Sequence, residues 1–115
     1  MLTIQALQTQ IRAFRDERDW MQFHSPKNMA MAISIEASEL MEHFLWVDSE
    51  GSGQRAQERL PAVAEEMADI GIYLLELADN LGVDLVAEMA KKLELNRGKY
   101  PVAKAKGNAK KYDEL

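Results

Sequence analysis

Apolar residues return along this chain at spacings of three, four and seven, with almost no strict alternation, and that is the period of helices with one buried face. Leu7, Ile11, Phe14 and Met21 set the first stripe and predict a helix from about Thr3 to Trp20. Gln22-Phe23-His24-Ser25-Pro26 follows as a linker, with Ser25 suited to an N-cap and Pro26 to the first helical position. A second helix then runs from Pro26 to about Trp46 on the stripe Met29, Ile33, Ala37, Leu40 and Phe44. Val47 to Gln54 has the glycine, serine and acid content of an exposed loop. A third helix starts between Gln54 and Pro61, because proline is tolerated only in a first turn. Its stripe is Val63, Met67, Ile70, Leu74, Leu77 and Leu81, and Asn80-Leu81-Gly82 forms its C-terminal cap. Asp84 caps a fourth helix carrying Leu85 or Val86, Met89 and Leu93; it runs out near Arg97, and Lys99-Tyr100-Pro101 ends it. The expected architecture is all-α: one domain over residues 1–115 built as a four-helix bundle, second and third helices antiparallel, methionines filling core gaps, and a basic tail over about residues 99–115.

Two places break the apolar pattern in the same way. Glu36 and Glu39 lie three residues apart in the second helix, and Glu66 and Asp69 repeat the spacing in the third. At about 100° per residue, each pair flanks its helix's apolar stripe, and a ring residue, His43 or Tyr73, falls between the two acids on the wheel. Antiparallel packing can therefore gather four carboxylates in one pocket. Two like charges about 4 Å apart repel by roughly 4 kcal/mol at an effective dielectric of 20, so such a group needs protons or a cation. All-oxygen ligands suit a hard ion, Mg²⁺ or Mn²⁺. The alternative is that the acids pair with Arg12, Arg15 or Arg18 of the first helix. A di-iron bundle expects Glu-x-x-His on two helices, and neither His24 nor His43 follows a glutamate at that spacing.

Composition narrows the setting. With 115 residues, 47% hydrophobic and 29% charged, the chain suits one soluble core. The absence of cysteine excludes disulfides and thiolate metal sites, and agrees with a reducing cytoplasm. Gln5, Gln8 and Gln10 interrupt any secretory apolar run, and no stretch is long enough to span a membrane. A cytoplasmic location is expected, with neither membrane nor nucleic-acid polymer as partner. The net charge of −5 is unevenly spread: residues 1–90 hold 6 Lys or Arg against 16 Asp or Glu, whereas residues 91–112 hold 8 against Glu94 alone. An acidic body with a basic end suits a phosphate-bearing ligand, and equally a solvated tail.

Glu36-x-x-Glu39, 26 intervening residues, then Glu66-x-x-Asp69 resembles the acid signature of the all-α nucleoside triphosphate pyrophosphohydrolases, the MazG-like superfamily. The dCTP pyrophosphatase branch is the most similar. Arg18-Asp19-Trp20, Gln22-Phe23-His24, Pro26-x-Asn28, Phe44-x-Trp46, Asp69-Ile70-x-Ile72-Tyr73-Leu74, Asn96-Arg97, Tyr100-Pro101 and Lys110-Lys111-Tyr112-x-Glu114-Leu115 carry that likeness from about Ile11 to Leu115.

The resemblance implies Mg²⁺-dependent hydrolysis of a (deoxy)nucleoside triphosphate, dCTP or a related dNTP, to monophosphate and pyrophosphate, a house-cleaning role for the nucleotide pool. It implies that Glu36, Glu39, Glu66 and Asp69 hold the metal. Glu39 and Glu66 are both candidates for the catalytic base. It further implies that Trp20, His24 and Trp46 form the base and sugar pocket, that Tyr73 closes the sugar site, and that Lys92, Asn96 and Lys99 reach the phosphates. His43 is placed to orient Glu39 or simply to fill the helix edge. Enzymes of this kind are homo-oligomers, tetramers built as dimers of dimers or dimers, in which a neighbour completes the pocket. The rival reading is a non-catalytic helical oligomer that binds nucleotide or partner helices and spends its acids on salt bridges.

Overall fold

The computed structural model describes residues 1–115 and contains six α-helices, two short 3-10 turns and no strand. The helices are α1 (Ile4–Glu17), α2 (Pro26–Glu42), α3 (Ser52–Glu58), α4 (Leu60–Leu81), α5 (Leu85–Lys99) and α6 (Val102–Ala105). They divide into two compact units, Met1–Gly82 and Val83–Leu115.

Local chemistry fixes most of the ends. Thr3 Oγ1 accepts from the Ala6 amide at 3.0 Å, Ser25 Oγ from Asn28 at 3.2 Å and Asp84 Oδ1 from Ala87 at 3.1 Å, so three of the long helices begin on side-chain caps. Pro26 and Pro61 both fall within a first turn, where a missing N–H costs nothing. Gly82 closes α4 in the left-handed region at φ 68°, a conformation that costs glycine little.

Four expected boundaries shift. The first helix stops at Glu17 rather than Trp20, because Asp19 turns left-handed at φ 54°. The amides of Trp20 and Asp19 then bond back to Arg15 and Asp16 at 3.1 and 3.0 Å, a Schellman closure built on an aspartate instead of a glycine. The second helix stops at Glu42. Beyond it Phe44 and Val47 donate to carbonyls three residues back, and the tightened turns leave Trp46 91% exposed. Third, the stretch taken as loop contains the start of α3: Asp48 Oδ1 accepts from the Gly51 amide at 2.8 Å and Ser52 Oγ donates to the Ser49 carbonyl at 2.7 Å, which organises the helix entry. Finally, the fourth helix continues to Lys99, and the tail adds α6 and a 3-10 turn at Tyr112–Glu114.

In the first unit α2 and α4 are the main packing pair, with α1 and α3 also against α4. Residues 24 and 76 meet at one end of the α2–α4 pair and residues 36 and 66 further along, so these helices run antiparallel. Gln8 meets Leu75, Arg12 meets Asp79 and Arg15 meets Asn80, so α1 runs parallel to α4. Met29, Val63, Ile11 and Ala78 form the small buried core. The expectation that methionines fill core gaps fails for six of seven: only Met29 is buried, while Met1, Met21, Met31, Met41, Met67 and Met89 are exposed. Leu74, Leu81 and Phe14, expected inside, are also exposed. The second unit is held by its own contacts. Tyr100 and Tyr112 meet edge-to-face with centroids 6.2 Å apart, and the Lys99 ammonium lies 4.8 Å from the Tyr112 ring centre.

Met29 is 1% exposed, so Met29→Ala should lower unfolding free energy by about 2–4 kcal/mol in urea titration, whereas Trp46→Ala should change it by less than about 0.5 kcal/mol.

Candidate metal and nucleotide site

Because α2 and α4 are antiparallel, one turn of each brings its acids to a common edge. Glu36, Glu39 and Glu66 each offer a carboxylate oxygen, all within 4.8 Å of one another. None of them forms a salt bridge. The arginines that could have neutralised them are engaged elsewhere: Arg12 with Asp79 at 2.8 Å, Arg15 with Asp16 at 2.9 Å, and Arg18 with Glu17 at 3.6 Å. Oε2 of Glu36 and Oε2 of Glu66 are buried without a hydrogen-bond partner. As ionised carboxylates the three offer only acceptors, so their close approach is favourable only with a proton or cation between them.

The electrostatics agree with that geometry. Loss of water, contact with the carboxyls of Glu66 and Glu39, and the charges of Glu39 and Asp69 push the Glu36 carboxyl up to about 7. Asp69 lies one turn beyond Glu66; it acts on Glu36 through its charge but stands outside the close group of three. Tyr73 is the link to the neighbouring cavity. Burial, then the charges of Glu36, Asp69, Glu76 and Glu39, raise its phenol above the ordinary range, so it stays a neutral donor.

That cavity measures about 210 Å³ and is lined by Ile11, Phe14 and Arg15 of α1, Trp20 and His24 of the linker, and Asp69, Ile72, Tyr73 and Glu76 of α4. Trp20 meets Phe14 edge-to-face at 5.7 Å and stands 6.4 Å from the His24 ring. Of the expected substrate residues, Trp20, His24 and Tyr73 thus share one cavity with Asp69. Trp46 lies on the turn after α2 and is almost fully exposed. Lys92, Asn96 and Lys99 lie on α5 in the second unit, where Lys99 covers Tyr112 and the Asn96 carbonyl accepts from the Tyr100 amide at 2.8 Å. His43 makes no side-chain bond to Glu39; its Nδ1 is buried without a partner, and its carbonyl accepts from Arg55 at 3.5 Å.

The sequence reading missed Glu76. It is only 4% exposed, and its Oε2 accepts from His24 Nδ1 at 2.7 Å and from Asn80 Nδ2 at 3.2 Å. Arg15, 7% exposed, stands 3.9 Å from the same oxygen and donates to Asn80 Oδ1 at 2.7 Å. The available signal was an acid seven residues after Asp69 and three after Tyr73, on the same side of α4.

An all-α fold that gathers acids from two antiparallel helices beside an aromatic-lined cavity defines the class, and a sequence model of the MazG-like family matches residues 31–115. The chain belongs to the MazG-like family. Among individual proteins it is 44% identical over 105 residues to dCTP pyrophosphatase 1 of Bos taurus, covering 89% of this chain and 62% of that protein. It is 42% identical over 105 residues to dCTP pyrophosphatase 1 of Homo sapiens, covering 89% and 61% respectively. The chain therefore spans about three fifths of the length of these curated relatives. It also superimposes on the crystal structure of a pyrophosphatase from Archaeoglobus fulgidus with a TM-score of 0.77 and 42% identity, over 79% of this chain and 85% of that one.

Glu36 takes up its proton near pH 7 when folded and near its ordinary 4.5 when unfolded. Between those values the folded state binds more protons, so metal-free protein should lose stability as pH rises from about 4.5 to about 7. Thermal unfolding against pH should show that fall, and Glu36→Gln should flatten it.

Proposed function

We propose that this chain is a divalent-metal-dependent nucleoside triphosphate pyrophosphohydrolase acting on dCTP or a closely related dNTP. The observation that carries the proposal is the meeting of Glu36, Glu39 and Glu66 at the α2–α4 edge, with two buried oxygens unpartnered. The names of its relatives, dCTP pyrophosphatases and a pyrophosphatase, support the reaction and the substrate class. The residues fit the group they would hold: an all-oxygen cluster with two buried unpartnered oxygens and no basic side chain paired to it matches Mg²⁺ or Mn²⁺ and offers nothing to a soft metal. Glu36, Glu39 and Glu66 would hold the ion, with Asp69 as the fourth acid. When bound, it supplies positive charge against the triphosphate and acidifies water for attack.

In the reaction, water adds to the α-phosphorus, the bond from that phosphorus to the oxygen bridging the α- and β-phosphates breaks, and pyrophosphate leaves with that oxygen. Glu39 or Glu66 takes the proton from the attacking water. Trp20 offers an aromatic face to the base, a contact worth about 1–3 kcal/mol for any base. Trp46 joins it by its family position, and Tyr73 stands against the sugar, leaving little space for a 2′-hydroxyl. Lys92, Asn96 and Lys99 supply donors to the phosphates, a role that rests on family position alone. The whole chain acts as one catalytic domain, as a match running through residues 31–115 suggests. The exposure of Phe14, Met31, Ile35, Met67 and Trp46 supports a homo-oligomer, a dimer or a dimer of dimers. No helix is long and apolar enough to cross a membrane, in keeping with a cytoplasmic role in clearing the nucleotide pool.

A dNTP and NTP panel with Mg²⁺ or Mn²⁺ should release pyrophosphate, most efficiently from dCTP or a close relative. Glu66→Gln should lower kcat/KM by about 100-fold or more, the upper end of what losing even an outer-shell metal partner costs, while circular dichroism stays unchanged. Orthophosphate as the product, or no turnover with any nucleotide, would refute the assignment. Loss of fold in the variant with no change in turnover per folded molecule would favour a scaffold whose acids are structural.

A further inference from the structure

The most buried polar group of the cavity, Glu76, has no part in the chemistry above, yet three donors converge on it. His24 Nδ1 stands 2.7 Å from its Oε2, Asn80 Nδ2 3.2 Å and Arg15 Nη1 3.9 Å. A carboxylate oxygen accepts, so the ring nitrogen facing it donates: His24 carries its proton on Nδ1. Arg15, paired with Asp16 at 2.9 Å, stands at the edge of this group. His24 lines the cavity, and with Nδ1 engaged the nitrogen left to a ligand is Nε2.

We propose that Glu76 is a positioning residue for base selection. It locks His24 as the Nδ1–H tautomer, so that Nε2 accepts a hydrogen bond from an amino group on the base edge and rejects a base with a carbonyl there. The inference rests on the nucleotide-binding reading of the site and adds to it the group that reads the base. The chemistry is that of cytosine against uracil or thymine: the 4-amino group is a donor and the 4-oxo group an acceptor. Facing Nε2, the first makes a bond and the second brings two lone pairs together. Aromatic stacking on Trp20 cannot make that distinction, because every base has a π face. A site that must leave a buried polar group unpaired discriminates far better than an apolar pocket.

The test has two arms on the full chain. In the first, ¹⁵N resonances of the histidine rings, assigned with the His43→Gln variant, are recorded near pH 7 without ligand and then with dCMP or dUMP. The expected result is a protonated Nδ1 and bare Nε2 on His24, with Nε2 shifted by dCMP and not by dUMP. In the second, kcat and KM are measured for dCTP and dUTP in Glu76→Met, which removes the acceptor at similar volume, and in Glu76→Gln, which keeps it. The dCTP preference should fall by about 10-fold or more in the methionine variant, chiefly through KM, and stay within about three-fold in the glutamine variant. A proton on Nε2 of His24 in the wild type overturns the proposal, as does loss of preference in both variants or in neither. Should Glu76→Met not fold, the wild-type ring still decides. A chain that binds dCMP without releasing pyrophosphate from any triphosphate would refute the proposed activity and leave this inference standing.

Discussion

Three carboxylate oxygens drawn from two helices and held within 4.8 Å of one another set the terms for the rest of this structure. At such separations like charges oppose folding by several kcal/mol unless something positive or a shared proton lies between them. Lost water and the neighbouring carboxyls push Glu36 up to about 7, toward the second solution. The arginines of α1 do not relieve the repulsion; they are spent on Asp79, Asp16 and Glu17. Antiparallel packing of α2 on α4 therefore works against its own electrostatics at one edge.

The first unit holds a second acid that resolves the same problem differently. Glu76 is more deeply buried than any member of the cluster, but His24, Asn80 and Arg15 surround it with donors. Both sites lie along α4, within about three turns of each other, and Tyr73 senses the charges of both. The cluster is left without donors, whereas Glu76 is surrounded by them. One helix thus carries both kinds of acid, and Asp69 and Glu76 line the cavity between α1, the Trp20–His24 linker and α4.

Much of this was legible before any coordinates. The caps at Ser25 and Asp84, the left-handed Gly82 and the antiparallel α2–α4 pair follow from local chemistry and apolar period, and the two acid pairs stand out because they interrupt that period. The failures have particular causes. Asp19 closes α1 in a conformation that a glycine would have announced, so the helix reads three residues too long. Gly51-Ser52-Gly53 has loop composition, and only the bonds made by Asp48 and Ser52 reveal a helix start. Glu76 sits amid leucines, where its burial depends on partners from α1 and the linker, 52 or more residues earlier in the chain. The stripe on α4 was read correctly as apolar, but Met67, Leu74 and Leu81 remain exposed, which a one-chain argument about burial cannot anticipate.

The central claim is that the α2–α4 edge is a cation site and not merely an acidic surface. Calorimetric titration of Mn²⁺ into metal-stripped protein near pH 7, repeated in two buffers of different ionisation enthalpy, tests it directly. The account predicts saturable binding accompanied by proton release from Glu36, with affinity lowered by about 10- to 100-fold or more in Glu66→Gln. Equal affinity in wild type and variant, or binding with no proton released, would contradict it.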